Sequence, residues 1–145
     1  MAENRYFTGE FEHTIDSVNR LTIPAKWRTG ESEELFMFAR EGRIAVLPRN
    51  EVEKIVQQIE SATDMSAVEK RERRQSMFHS AVQATCDKQG RVTLDVKLLK
   101  HAGLRDSVML VGGGVNFEMW SPKSWAERKR KLDDVRNDTM DRFGI

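Results

Sequence analysis

The chain has 145 residues, which suits one compact domain or two half-size modules sharing a core. Hydrophobic residues make up 39% and charged residues 32%, and no run approaches the roughly 18 apolar residues of a membrane span, which argues against an integral membrane protein. The net charge of +1 excludes a uniformly basic surface, and the single cysteine, Cys86, excludes an intrachain disulfide and a Cys-rich metal centre.

Met1, Ala2, Glu3, Asn4 and Arg5 lead into no apolar core and no small-residue cleavage site, so the expected compartment is the cytoplasm. The first element is an alternating run. Phe7, Gly9, Phe11, His13 and Ile15 share one parity, which reads as a half-buried strand. A tight turn follows at Asp16-Ser17-Val18-Asn19-Arg20. Asp16 can accept hydrogen bonds from backbone amides further along it, and Asn19 is the commonest substitute for glycine in a left-handed position. Residues 20–23 form a second short strand. Pro24 then opens a short helix that Gly30 ends, and residues 35–40 and 43–47 form a hairpin turning at Glu41-Gly42. Pro48 opens a longer helix with Val52, Ile55, Val56 and Ile59 on one face. Residues 64–76 are highly charged and helical in pattern, as a solvent-exposed bridge or an oligomer contact.

The same grammar then returns. Phe78, Ser80, Val82, Ala84 and Cys86 share one parity, and the turn Asp87-Lys88-Gln89-Gly90-Arg91 leads into a strand over 91–94. Leu98, Leu99 and Ala102 form the stripe of a short helix, which Gly103-Leu104 stops. Strands over 107–111 and 115–120 flank Gly112-Gly113-Gly114, and Ser121-Pro122 caps a final helix. A shift of 71 residues lays Asp16 on Asp87, Asn19 on Gly90, Arg20 on Arg91, Thr22 on Thr93 and Lys26 on Lys97. With two further residues of offset, 44–47 falls on 117–120 and Val52 on Trp125. The expected division is a first module at residues 5–60, a connecting helix at 61–77, a second module at 78–135 and a tail at 136–145, frayed in composition.

Catalysis needs convergent groups, and the sequence offers none. His13, His79 and His101 stand apart, without His or Cys partners at metal spacing. Cys86 reads as a small buried residue. Gly112-Gly113-Gly114 lacks the Lys-Ser/Thr continuation of a phosphate loop and reads as a turn. Trp27, Trp120 and Trp125 read as core or interface. No enzyme activity, cofactor, metal or small-molecule substrate is expected. The basic residues are more informative. Arg20, Lys26 and Arg28 stand against Asp16 alone over residues 16–30, and Lys88, Arg91, Lys97 and Lys100 against Asp87 and Asp95 over 87–101. Arg20 and Arg91 leave equivalent turns, where a guanidinium can fork onto guanine edges or phosphate. The plainer reading is that each arginine braces its own turn through Asp16 or Asp87. Both roles are compatible. Lys26, Arg28, Lys88 and Lys97 are placed to hold phosphates.

At these residues the sequence resembles the MraZ family. Phe7-x-Gly9 with Asp16-x-x-x-Arg20-Leu21-x-Ile23-Pro24-Ala25-Lys26-Trp27-Arg28 is similar to its first motif. Ser80-Ala81, Asp87-x-Gln89-Gly90-Arg91 and Ala102-Gly103-Leu104 are similar to its second. The resemblance covers roughly residues 5–135. It implies an α+β, mainly β fold, with two AbrB-like swapped-hairpin modules forming one barrel-like unit with peripheral helices. It further implies a transcriptional regulator, a repressor of the bacterial division and cell-wall gene cluster, associated with the nucleoid. Such a protein binds short direct repeats in promoter DNA as a ring of about eight to twelve subunits, each adding a few linked contacts. By matching position Arg20 grips or reads DNA and Arg91 is its counterpart. Asn19 replaces the family's glycine, Asp95 stands at its usual proline and Leu99 at its usual arginine. An acid near phosphate is repelled, so the first copy is expected to dominate contact. The rival reading is an antitoxin-like protein-interaction module on the same scaffold, wrapping a partner with the tail.

Overall fold

The computed structural model describes residues 5–145. Among these residues eight strands, four α-helices and one 3-10 turn follow one another. The first half contributes β1 (Glu10–Thr14), β2 (Arg20–Thr22), the 3-10 turn (Ala25–Trp27), β3 (Glu33–Arg40), β4 (Arg43–Pro48) and α1 (Arg49–Ser61). α2 (Ala67–Phe78) connects it to β5 (Val82–Cys86), β6 (Arg91–Thr93), α3 (Val96–Ala102), β7 (Ser107–Gly112), β8 (Phe117–Trp120) and α4 (Pro122–Arg142).

Six strands form one antiparallel sheet in the order β1-β7-β8-β4-β3-β5, and β2 pairs with β6 in a separate ribbon. Each half's first strand leaves its own hairpin and joins the other's: β1 pairs with β7, and β5 with β3. The registers obey the sequence offsets. Phe11 lies opposite Leu110 and Val82 opposite Met37, so a 71-residue step on one partner and a 73-residue step on the other convert the first pair into the second. The same steps make Leu21–Val92 and Ala45–Glu118 self-equivalent pairs, and an approximate two-fold axis passes through both. The expected barrel-like closure does not form. β1 and β5 end the sheet as edges, and the ribbon stays separate.

Strand alternation divides the apolar residues into two layers. Leu35, Met37, Ile44, Val46, Val108, Leu110, Phe117 and Met119 face the main core, which Phe7, Trp27, the ribbon's Leu21 and Val92, and α3's Leu98, Leu99 and Ala102 complete. On the opposite face Phe38, Ala45 and Val52 gather Phe36, Leu47, Val56, Met77 and Phe78 beneath α1 and α2. Here the charged 64–76 segment departs from a purely solvent-exposed bridge. Ser66 caps α2 by accepting from the Glu69 amide at 3.1 Å, and the helix ends by laying Phe78 edge-on to Phe38. Phe78 therefore does not begin a strand, although its parity matches Val82 and Ala84. Gly112 lies where a Cβ would stand 2.4 Å from the Phe7 carbonyl oxygen. The triple glycine thus lets the N-terminal segment cross closely, with Phe7 N donating to Gly114 O at 2.7 Å. α4 continues as helix to Arg142, through the boundary expected at 135, and Glu10 ties it to β1 through Trp125 Nε1 at 2.7 Å and Lys129 Nζ at 2.6 Å.

Candidate nucleic-acid interface

The two Asp-x-x-x-Arg turns are near copies. In the first, Asp16 Oδ1 accepts from the amides of Val18 and Arg20 at 3.0 and 2.8 Å, and Oδ2 from Arg20 Nε at 3.0 Å. In the second, Asp87 Oδ1 accepts from Gln89 and Arg91 at 2.9 Å each, and Oδ2 from Arg91 Nε at 3.1 Å. The bracing reading is therefore realised in both copies. These donors hold both carboxyls below the usual aspartate range, the amides of Arg20 and Arg91 contributing most. Asn19 takes φ 63 and Gly90 φ 85, the left-handed backbone that closes each turn.

Bracing uses only Nε. No hydrogen bond within the described residues engages the terminal Nη groups of Arg20 or Arg91, and both side chains keep more than two-fifths of their surface exposed. An aspartate that holds one edge of a guanidinium orients the other edge, and a rigid two-donor fork suits guanine O6 and N7 or a phosphate.

The ribbon brings the two arginines together. Arg20 lies opposite Thr93, Thr22 opposite Arg91, and buried Leu21 and Val92 pair between them. Period-2 alternation puts Arg20, Thr22, Arg91 and Thr93 on one outward face, with the arginines at diagonal positions about 7–8 Å apart. Reciprocal bonds lock the ends: Ile23 N donates to Gly90 O and Leu94 N to Asn19 O, each at 2.7 Å. Thr22 and Thr93 match in the sequence repeat but are not among the site residues expected from the sequence. The repeated Arg-Leu-Thr and Arg-Val-Thr triplets carried the signal, because alternation buries the middle residue and exposes its neighbours.

The remaining basic residues differ in their surroundings. Lys88 is exposed in the second turn. Lys26 and Lys97 are exposed at matching positions after the ribbon, and Lys26 Nζ lies 5.5 Å from the centre of the Phe11 ring. Arg28 is partly buried and donates through Nη1 to Gln89 O at 2.8 Å, across the boundary between the halves. Asp95 has a folding role. It caps α3, accepting from the amides of Lys97 at 2.8 Å and Leu98 at 3.4 Å. Its first-half counterpart Pro24 opens only the single 3-10 turn.

The other candidates lie elsewhere. Trp27, Trp120 and Trp125 are buried, so none is a base-stacking platform. Burial raises the pKa of the Cys86 thiol, which disfavours the reactive thiolate. Among the described residues no group of three or more His, Cys, Asp or Glu is placed to hold a metal ion, and no helix is long and apolar enough to cross a membrane.

The family model of the MraZ protein matches the chain twice, over residues 6–75 and 77–143. A transcriptional regulator MraZ of Lactobacillus gasseri is 36% identical over 143 residues, covering 93% of this chain and 97% of its own. Namesakes from Leuconostoc citreum and Pediococcus pentosaceus are each 34% identical, covering 93% and 96% of this chain and 97% and 99% of their own. Two tandem matches that split the chain where the structural repeat splits it, and relatives aligned nearly end to end, place this chain in the MraZ family.

Proposed function

We propose that this protein is a sequence-specific DNA-binding transcriptional regulator, without catalysis, that uses the β2–β6 ribbon as its reading surface. The observation that carries the proposal is the outward face of that ribbon, where two Asp-braced arginines point free Nη groups away from a buried Leu21–Val92 pair. A two-stranded ribbon fits the major groove, where an arginine fork recognises guanine. Thr22 and Thr93 add hydroxyls between the forks. Lys88, Lys26 and Lys97 border the ribbon and hold the phosphate backbone, which fixes register without reading sequence. The relatives' name, transcriptional regulator MraZ, supports this use of the surface.

The finer reading follows the family. The exchange of β1 and β5 between halves supports an AbrB-type swapped-hairpin ancestry for each module. The target is promoter DNA with short direct repeats at the division and cell-wall gene cluster, and regulation there is repression by a nucleoid-associated protein. A ring of about eight to twelve subunits places one ribbon on each repeat, and linked contacts multiply through effective concentration. This resolves the modest net charge of +1, since no single subunit has to hold DNA alone.

Fluorescence anisotropy on DNA from upstream of the protein's own gene tests the proposal, with native repeats against scrambled ones. Preference for native repeats is expected, with affinity for scrambled DNA falling by about 0.9 log unit per log unit of salt for each phosphate neutralised. Equal, weak binding to both DNAs would defeat it and favour the protein-interaction alternative.

A further inference from the structure

Arg28 is the one basic residue near the ribbon whose guanidinium is committed to the partner half. Nη1 donates to Gln89 O at 2.8 Å, and Nε is buried with no hydrogen-bond partner among the described residues. The packing over the second turn is tight. A Cβ on Gly90 would stand 2.4 Å from Arg28 Cδ and Nη1 and 2.6 Å from Cζ. A solvated arginine waiting for phosphate has no reason to accept an unpaired buried donor, which costs about 1–3 kcal/mol in a folded protein.

Apart from this contact, the hydrogen bonds that the two turns make among the described residues match. The first closes on Asn19, a residue with a side chain, and the second on Gly90, the least restrained residue type. The 71-residue step takes Arg28 to Leu99, which is buried in the core, so no arginine reaches from the second half onto the first turn. The half that supplies the clamp and the turn that lacks a side chain are complementary.

We propose that Arg28 is a positioning residue that fixes the second turn, and through it the direction of Arg91, instead of a phosphate contact. The chain of restraint is short. Arg28 holds the Gln89 carbonyl, the adjoining amides of Gln89 and Arg91 hold Asp87, and Asp87 holds Arg91 Nε. Asn19 restrains the first turn by its own steric limits, while Gly90 leaves room for a clamp that makes the second turn equally stiff. The proposal rests on the ribbon being the DNA-reading surface.

Arg28→Met removes the guanidinium that makes the clamp and its charge while keeping an unbranched apolar stem. Two measurements read it against wild type, with Lys88→Met as the phosphate-contact comparator. Amide hydrogen exchange on the free protein is expected to quicken at Gln89, Gly90 and Arg91 and to stay unchanged at residues 18–20. In anisotropy titrations the preference for native over scrambled repeats is expected to fall roughly fivefold or more, the loss of one oriented fork. The salt slope on scrambled DNA should hold for Arg28→Met, whereas it should drop by about 0.9 for each lost phosphate contact in Lys88→Met. Unchanged exchange with a lowered salt slope would overturn the proposal and make Arg28 a phosphate contact. Wild-type protein without any preference would remove the DNA reading itself, and this inference with it. If Arg28→Met does not fold, Arg28→Gln, which shortens the reach to Gln89, carries the same comparison.

Discussion

Replacing Trp27 with alanine would remove a buried side chain that packs against both halves of the chain. Trp27 is 1% exposed. It meets Phe7 and Phe11 edge-on at 5.6 and 5.4 Å and Phe117 of the second half at 5.0 Å, and Nε1 donates to Thr8 O at 3.0 Å. An indole of about 200 Å² at about 25 cal/mol per Å² gives roughly 5 kcal/mol of burial, an upper bound because the unfolded chain already hides some surface. Losing the edge contacts and leaving Thr8 O unpaired add to the loss, while inward movement of Phe7 and Phe11 recovers part of it. The expected destabilisation is therefore about 3–5 kcal/mol. In a chain of this size each kcal/mol lowers the midpoint by about 4 °C, so a fall of roughly 12–20 °C is expected. Thermal unfolding followed by circular dichroism at one fixed protein concentration measures it, since any self-association would make the midpoint concentration-dependent. A loss below about 1 kcal/mol would refute the reasoning, because no well-packed buried tryptophan is dispensable to that degree.

Further predictions concern the turns and their caps. Gly90→Ala forces a side chain into φ 85 and against Arg28, and should destabilise by more than about 1 kcal/mol, whereas Asn19→Gly should change stability by less than about 1 kcal/mol in the same melts. Asp95→Ala should cost about 1 kcal/mol through its lost cap, while affinity for scrambled DNA holds or rises because Lys97 loses an acidic neighbour. Asp16 and Asp87 have folded pKa values below the ordinary 3.8, so their stabilisation is full above that value and is lost as pH falls through the lower folded values. Nuclear magnetic resonance titration of the Arg20 and Arg91 amides should show midpoints below 3.8, and midpoints at or above it would contradict the bracing geometry.

What could be read from the sequence was whatever local pattern determines. The Asp-x-x-x-Arg turns, the glycine stop of α3 and the offsets of 71 and 73 residues all depend on neighbours in the chain, and the structure shows them. What was not legible depends on partners. Period-2 alternation in β1 says which face is buried, but it is silent on which hairpin the strand joins, and β1 joins β7 of the other half. Phe78 fits the strand parity of Val82 and Ala84, yet it is drawn into α2 by the Ser66 cap and by Phe38 across the sheet. The barrel-like closure failed for a similar reason: nothing local specifies whether edge strands meet. At the site, the motif pointed to both arginines, but only the β2–β6 pairing puts them on one face with Thr22 and Thr93. The bond from Arg28 to the Gln89 carbonyl was not legible either, because the two residues lie 61 positions apart.

The most direct test of the central claim, that the ribbon reads DNA, compares Arg20→Ala with wild type in anisotropy on native and scrambled repeats at one fixed salt. The Arg20 side chain keeps 43% of its surface exposed and lies outside the core, so the fold should survive its loss, as circular dichroism can verify. The account predicts that preference for native repeats disappears, a loss of about 1–3 kcal/mol for each engaged subunit. Wild-type preference retained by a folded Arg20→Ala variant would contradict it and move the reading surface off the ribbon.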